Sequence, residues 1–248
     1  MRISSVMRVG LAFVFAAALF PAGASAQRNR GSSWSNDDQG PKETETVDKT
    51  VAFPANGTLR LKNFSGDIHI TGTTGHDIVL KARRRAGREQ LDHIKLDVQT
   101  SGSTVTINAN KPDAEWENSH HNNNVVETTF ELQVPASANL DINAFSSDVT
   151  IEGIDGDQAL KTFSGDIRVR QPNSTMNAET FSGDIVLTVE PNAKGNVSFS
   201  TFSGDLDATL PITSTSRRKR DIEGTLPGGA GRQLKFKTFS GDLQIKTK

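Results

Sequence analysis

One pentapeptide pattern recurs six times in this chain and limits its fold more than any other feature. The copies are Phe64-Ser65-Gly66-Asp67-Ile68, Phe145-Ser146-Ser147-Asp148-Val149, Phe163-Ser164-Gly165-Asp166-Ile167, Phe181-Ser182-Gly183-Asp184-Ile185, Phe202-Ser203-Gly204-Asp205-Leu206 and Phe239-Ser240-Gly241-Asp242-Leu243. From Phe145 onward the spacings are 18, 18, 21 and 37 residues. The last is close to two units, so one copy between Phe202 and Phe239 is expected to have lost its signature. The unit is too short for a helical hairpin repeat. Ser-Gly-Asp marks a turn, and the flanks alternate polar with apolar or β-branched residues, as in Ile167-Arg168-Val169. The reading is all-β: a parallel β-helix (β-solenoid) in which each coil pairs with the next and buries its inward face.

The rest of the chain is less regular. Strands are expected over 58–70, 78–86, 94–99, 105–109 and 125–134, forming open coils that cap the first end, and residues 88–94 are the one helical candidate. Residues 49–248 are taken as one domain, with irregular coils over 49–135 and 18-residue-type coils over 136–248. The stretch 111–124, rich in Asn, Asp and His with Pro112 and Trp116, reads as a long exposed loop.

Three features together resemble the bacterial "putative adhesin" domains of unknown function. They are the pattern T-x-S-G-D followed by an aliphatic residue, the run Gly57-Thr58-Leu59-Arg60-Leu61 leading into the first copy, and Val134-Pro135 ahead of Leu140-Asp141-Ile142. The resemblance covers roughly residues 48–248 and implies a single-stranded, right-handed parallel β-helix with no assigned ligand or catalytic residue. Ser147, where Gly is expected, and the basic stretch between Thr213 and Gly224 depart from the pattern and are expected to be irregular.

The front of the chain is an address. Arg2 and Arg8 precede an uncharged apolar run, then Pro21 and Ala24-Ser25-Ala26 before Gln27, so residues 1–26 read as a secretory signal cut between Ala26 and Gln27. The apolar run is shorter than the roughly 20 residues that span a bilayer, and no second run follows it. The product is expected in the periplasm or outside the cell, with no transmembrane span. Residues 27–48 are almost devoid of apolar side chains and read as a disordered polar linker, with Trp34 incidental.

Composition then removes whole classes of function. The chain has 28 basic and 29 acidic residues, and loss of Arg2 and Arg8 leaves 26 against 29, a net charge of −3. Nothing there suits nucleic acid phosphates. With no cysteine, thiolate metal sites, Cys nucleophiles and lipid-anchored Cys are excluded.

The acids Asp67, Asp148, Asp166, Asp184, Asp205 and Asp242 would stack in a column. They read as structural, because Gly at a corner supplies a positive φ and Asp beside it accepts backbone N–H groups in an Asx-type turn. A calcium ladder or a catalytic groove is the competing use of the same column. His120-His121 has no third ligand nearby in sequence, and no catalytic or phosphate-binding motif occurs. No metal or cofactor is expected. Two basic runs, Lys81 with Arg83-Arg84-Arg85 and Arg88, and Arg217-Arg218-Lys219-Arg220, are either exposed edges or patches for anionic surfaces. The last strand pair, carrying Lys235, Lys237, Lys246 and Lys248, is expected at an open end that those lysines guard from stacking.

Strand parity fixes the signature Phe. Positions five and three before it are apolar, as in Leu59 and Leu61, Leu140 and Ile142, or Leu234 and Phe236. Period two then turns Asn63, Ala144, Thr162, Thr180, Thr201 and Thr238 inward, followed by the signature Ser. Phe64, Phe145, Phe163, Phe181, Phe202 and Phe239 fall on the outward face with Lys62, Asn143 and Lys161, an aromatic ladder that marks an interaction site. The functional expectation is an exported, non-catalytic, adhesin-like binding or structural protein of the cell envelope, meeting a glycan, an envelope protein or a membrane surface. The alternative is a polysaccharide-active enzyme that uses the Asp column in a shallow groove.

Overall fold

The computed structural model describes residues 41–118, 125–217 and 220–248. In chain order its strands are β1 (Glu43–Ala52), β2 (Thr58–Ser65), β3 (Ile68–Thr73) and β4 (Asp77–Ala86); then helix α1 (Arg88–His93), β5 (Ile94–Ser101) and β6 (Thr104–Pro112). After helix α2 (Ala114–Asn118) come β7 (Glu127–Pro135), β8 (Asn139–Ser146), β9 (Val149–Glu152), β10 (Gln158–Ser164) and β11 (Ile167–Arg170). Next are β12 (Met176–Ser182), β13 (Ile185–Val189), β14 (Asn196–Ser203), β15 (Leu206–Ala208), β16 (Thr213–Arg217), β17 (Asp221–Thr225), β18 (Gln233–Ser240) and β19 (Leu243–Thr247). The chain is all-β, with parallel pairing through the centre of both of its sheets.

One sheet runs β1-β4-β7-β3-β9-β11-β13-β19-β15 and the other β16-β17-β14-β18-β12-β10-β8-β2-β6-β5. Each signature joins a strand of the second sheet to one of the first, and the pair makes one rung. Rungs stack in register: Leu160 aligns with Ile142 on one side and Ala178 on the other, and Val169 with Ile151 and Leu187. Alternation supplies the core. Leu59, Leu61, Ile68, Ile70, Leu160, Ile167, Ile185, Leu187, Leu234 and Ile245 are all essentially inaccessible to solvent, each contributing about 1.5–3 kcal/mol by burial.

The order of rungs departs from the order of the sequence. The C-terminal strands β18 and β19 lie between β12/β13 and β14/β15, so the expectation that the last strand pair forms an open end is wrong. Near the other end, β2/β3 is likewise enclosed, with β6 and β7 on one side and β8 and β9 on the other. The supposed lost copy between Phe202 and Phe239 is an antiparallel hairpin, β16–β17, laid against β14 and bulged between Ser214 and Ser216. Ser147, by contrast, causes no break: Ala144 aligns with Thr162 and Ser146 with Ser164, as in the other rungs.

The N-terminal irregularity is antiparallel pairing of β1 on β4, β4 on β7 and β5 on β6. Strand β1 starts at Glu43, so residues 43–48 are sheet and not linker; its Val47 and Val51 pack on the core from an edge whose other face carries charge and threonine. The expected loop at 111–124 is corrected in part, because β6 continues through Pro112 and α2 buries Trp116 in a small cluster with Ala86, Leu91, Ile94 and Val126. The signal segment, the cleavage position at Ala26 and Gln27, Trp34, and His120-His121 lie outside the described residues. Among the described residues no helix is long and apolar enough to cross a membrane.

Candidate functional site

At the end of each rung's first strand, Thr162, Thr180, Thr201, Thr238 and Asn63 are buried. Their polar atoms serve the corner: the Thr180 hydroxyl donates to Gly165 O at 3.3 Å and that of Thr238 to Gly241 O at 2.8 Å. The next residue is the signature Phe, and parity turns it out. All six rings are substantially exposed, from 41% at Phe64 to 53% at Phe202. The signature Ser, expected inward, is not buried in any of the six copies, because the corner begins there and the period-two rule stops.

Sheet register sets the rings in the order Phe64, Phe145, Phe163, Phe181, Phe239, Phe202. Successive centroids are 4.7, 4.8, 4.9, 4.7 and 4.9 Å apart, with interplanar angles of 16° at the first step and 5° or less beyond it. The step is the strand spacing, so the backbone dictates the stacking. At the Phe202 end the Arg220 guanidinium lies 4.1 Å over the ring centroid. Both faces of the inner rings are therefore covered and their edges point to solvent. A groove of about 690 Å³ follows Phe163, Phe181, Phe239 and Phe202, bordered by Lys161, Lys237 and Arg220.

Two charged rows flank the ladder. On the strand side, register aligns Lys62, Asn143, Lys161, Glu179, Lys237, Ser200 and Asp221. On the corner side runs the Asp column, whose hydrogen bonding differs from an Asx turn. Asp148 Oδ1 accepts the backbone N–H of Asp166 at 2.9 Å, Asp166 Oδ1 that of Asp184 at 2.9 Å, Asp184 Oδ1 that of Asp242 at 2.8 Å, and Asp242 Oδ1 that of Asp205 at 2.8 Å. These four carboxylates thus bind the adjacent rung instead of their own turn. Arg168 bridges Asp148 at 3.1 Å and Asp166 at 2.6 Å, and its hydrogen bond to Asp148 helps to hold the guanidinium above its ordinary pKa. Among the described residues no three His, Asp or Glu side chains converge as a metal site.

Glycine closes the corner. Gly165, Gly183 and Gly241 have φ of 141°, 151° and 150°, and a Cβ on Gly183 would sit 2.3 Å from Gly165 O. Backbone torsion and close rung contact both require its absence.

Most of the first basic run is matched by acids. Lys81 faces Glu131 at 3.8 Å, Arg85 faces Glu127 at 3.9 Å, and Arg88 meets Asp92 and Glu43. Arg84 points inward to Glu45 and to Ile94 O, with burial lowering its pKa. Of the second run, Arg220 joins the aromatic ladder, while Arg218 and Lys219 lie outside the described residues. Sequence reasoning missed this contact because it depends on the hairpin returning beside β14, where Arg220 O accepts the Thr201 N–H at 3.0 Å. It also missed His93, whose Nδ1 lies 3.0 Å from Asp113 Oδ2 and whose ring stacks on Trp116 at 5.5 Å. No local motif joins residues 20 positions apart.

The fold has solved relatives at low sequence identity. A "putative cell adhesion protein" from Clostridium sporogenes is 12% identical, with a TM-score of 0.60 over 84% of this chain and 100% of that one. A "putative adhesin" from Bacteroides fragilis is 14% identical, covering 83% of this chain and 97% of the other at a TM-score of 0.42. No curated protein matches the sequence. Residues 41–246 match the family Toastrack DUF4097, and the chain belongs to that family.

Proposed function

We propose that this is an exported, non-catalytic binding protein of the cell envelope whose interaction face is the ladder from Phe64 to Phe202. Its rungs are read as coils of a two-sheet β-solenoid that presents one side chain at each step. The observation carrying the reading is that six Phe rings stand exposed in one continuous stack. A chain that needed Phe only for stability would turn it into the core, which Leu and Ile already fill; an apolar stripe in water is a binding surface. The adhesion name given to the Clostridium protein agrees with a binding role. Catalysis is disfavoured because every rung repeats the same corner, whereas a reaction centre needs unlike groups in one cleft. Those carboxylates are also engaged by neighbouring backbone amides.

The test is binding to phosphatidylglycerol vesicles, lipopolysaccharide, acidic polysaccharides and the protein itself, comparing wild type with the double variant Phe163→Ser and Phe181→Ser. Loss of binding by tenfold or more at an unchanged melting temperature is expected. Equal binding by both proteins, or shortening of a polysaccharide that Asp166→Ala abolishes, would refute the reading.

A further inference from the structure

The ladder's geometry narrows its partner. Sugars stack on aromatic faces, and here the faces are occupied: the inner rings lie between neighbours at 4.7–4.9 Å and Arg220 covers Phe202. A row of ring edges suits a second apolar surface instead. An anionic bilayer would meet the Asp column beside the stripe, where Arg168 pairs with both Asp148 and Asp166 and no other ion pair to the column occurs among the described residues. The strand-side row carries Lys62, Lys161 and Lys237, with Glu179 paired to Lys161 at 3.6 Å, so the stripe suits a partner that is apolar in the middle, basic opposite the Asp column and acidic opposite Lys62 and Lys237.

Resting on the binding role proposed above, we infer that the partner is a second copy of this chain, docked ladder to ladder about a twofold axis parallel to the stack. That operation carries the strand-side row of each copy over the Asp column of the other. Lys62 faces the second copy's Asp67, Lys161 its Asp166 and Lys237 its Asp242, three attractive pairs against the one repulsive pair of Glu179 with Asp184. A twofold perpendicular to the stack would bring Asp column against Asp column, which like-charge repulsion disfavours. Closed symmetry of this kind makes an isologous dimer and not a filament. The area is sufficient. Six rings that are 41–53% exposed, at roughly 150–250 Å² per aromatic side chain, cover about 500 Å², and the flanking rows extend this toward the roughly 800 Å² per partner of a stable interface.

The chain contains no cysteine, so single Cys probes report the geometry directly. Under mild oxidation Phe64→Cys should form a disulfide dimer with itself, and so should Phe202→Cys, while Thr150→Cys on the outer face of the other sheet stays monomeric. Lys62→Glu should raise the dimer dissociation constant at least fivefold, and adding Asp67→Lys should restore it. A protein that remains monomeric to about 100 µM, or a Phe64→Cys chain that links only to a Phe202→Cys chain, would overturn the inference. The binding role survives that failure if Phe163→Ser with Phe181→Ser still abolishes attachment to vesicles or lipopolysaccharide; if that variant matches wild type throughout, both fail.

Discussion

Asn63 and Ser147, 84 residues apart in sequence, are buried against each other, with Asn63 Nδ2 lying 3.3 Å from Ser147 Oγ. The same amide donates to Gly66 O at 2.9 Å and Thr128 O at 3.0 Å. Both residues are exceptions to the signature, one standing where four of the other rungs have Thr and the other where they have Gly. Ser147 is not among the residues of positive φ, so a side chain there costs no torsional strain.

Asn63→Ala should therefore destabilise the protein by about 1–3 kcal/mol, since it leaves buried acceptors without donors. Ser147→Gly should cost about 1 kcal/mol or less, because it returns the rung to the common pattern and mainly adds chain entropy to the unfolded state. Urea denaturation of the two variants checks the ranking. Equal losses would mean that the pair is not complementary.

A second comparison separates torsion from crowding. Gly102 has φ +56° with nothing within 4 Å of a Cβ, whereas Gly183 has φ +151° and the carbonyl of Gly165 in the way. Gly102→Ala should cost about 1–2 kcal/mol. Gly183→Ala should cost more than about 3 kcal/mol, because strain and displacement of the neighbouring rung add together. Thermal unfolding reads both, and a Gly183 variant no worse than the Gly102 variant would contradict the corner geometry.

What could be read in advance follows from what local chemistry encodes. Period-two alternation placed Leu59, Leu61, Leu140 and Ile142 inside and the six Phe outside, because parity is a property of single strands. The order of rungs was not legible, because β12, β14 and β18 present near-identical edges ending in Thr180, Thr201 and Thr238, and any two could pair. Chain adjacency was the only guide, and the β16–β17 hairpin breaks it. Strand β1 escaped notice because an edge strand needs only one half-buried face; Glu45 and Lys49 occupy positions on that face beside Val47 and Val51. The contact of Arg220 with Phe202 inherits the same difficulty, being set by tertiary register alone.

The small helix α2 gives a pH-dependent signal. Asp113 Oδ1 accepts the Trp116 N–H at 2.9 Å, and this bond, helped by His93, holds its carboxyl below the ordinary aspartate pKa. A group depressed in the folded state contributes stability above its unfolded pKa and loses it as pH falls through the folded value. In a Trp34→Phe background Trp116 is the single tryptophan. Its fluorescence should change below about pH 4, and Asp113→Asn should remove that transition. A transition unmoved by the substitution would assign it elsewhere.

The enclosed C-terminal rung makes the most severe prediction. Ending the chain after Arg232 removes β18 and β19, and with them Leu234, Phe236, Leu243 and Ile245, all buried. At about 1.5–3 kcal/mol each the loss is about 6–12 kcal/mol, against a total stability of about 5–15 kcal/mol for a protein of this kind. It also strands β12/β13 from β14/β15, because the missing rung supplies their shared hydrogen-bond partners. The truncated chain should show no cooperative melting transition, and a synthetic peptide spanning 233–248 added in excess should restore one. Were this rung a terminal one, its removal would expose a single new edge and leave the other rungs intact, so a truncated protein that melts like the full chain would refute the insertion.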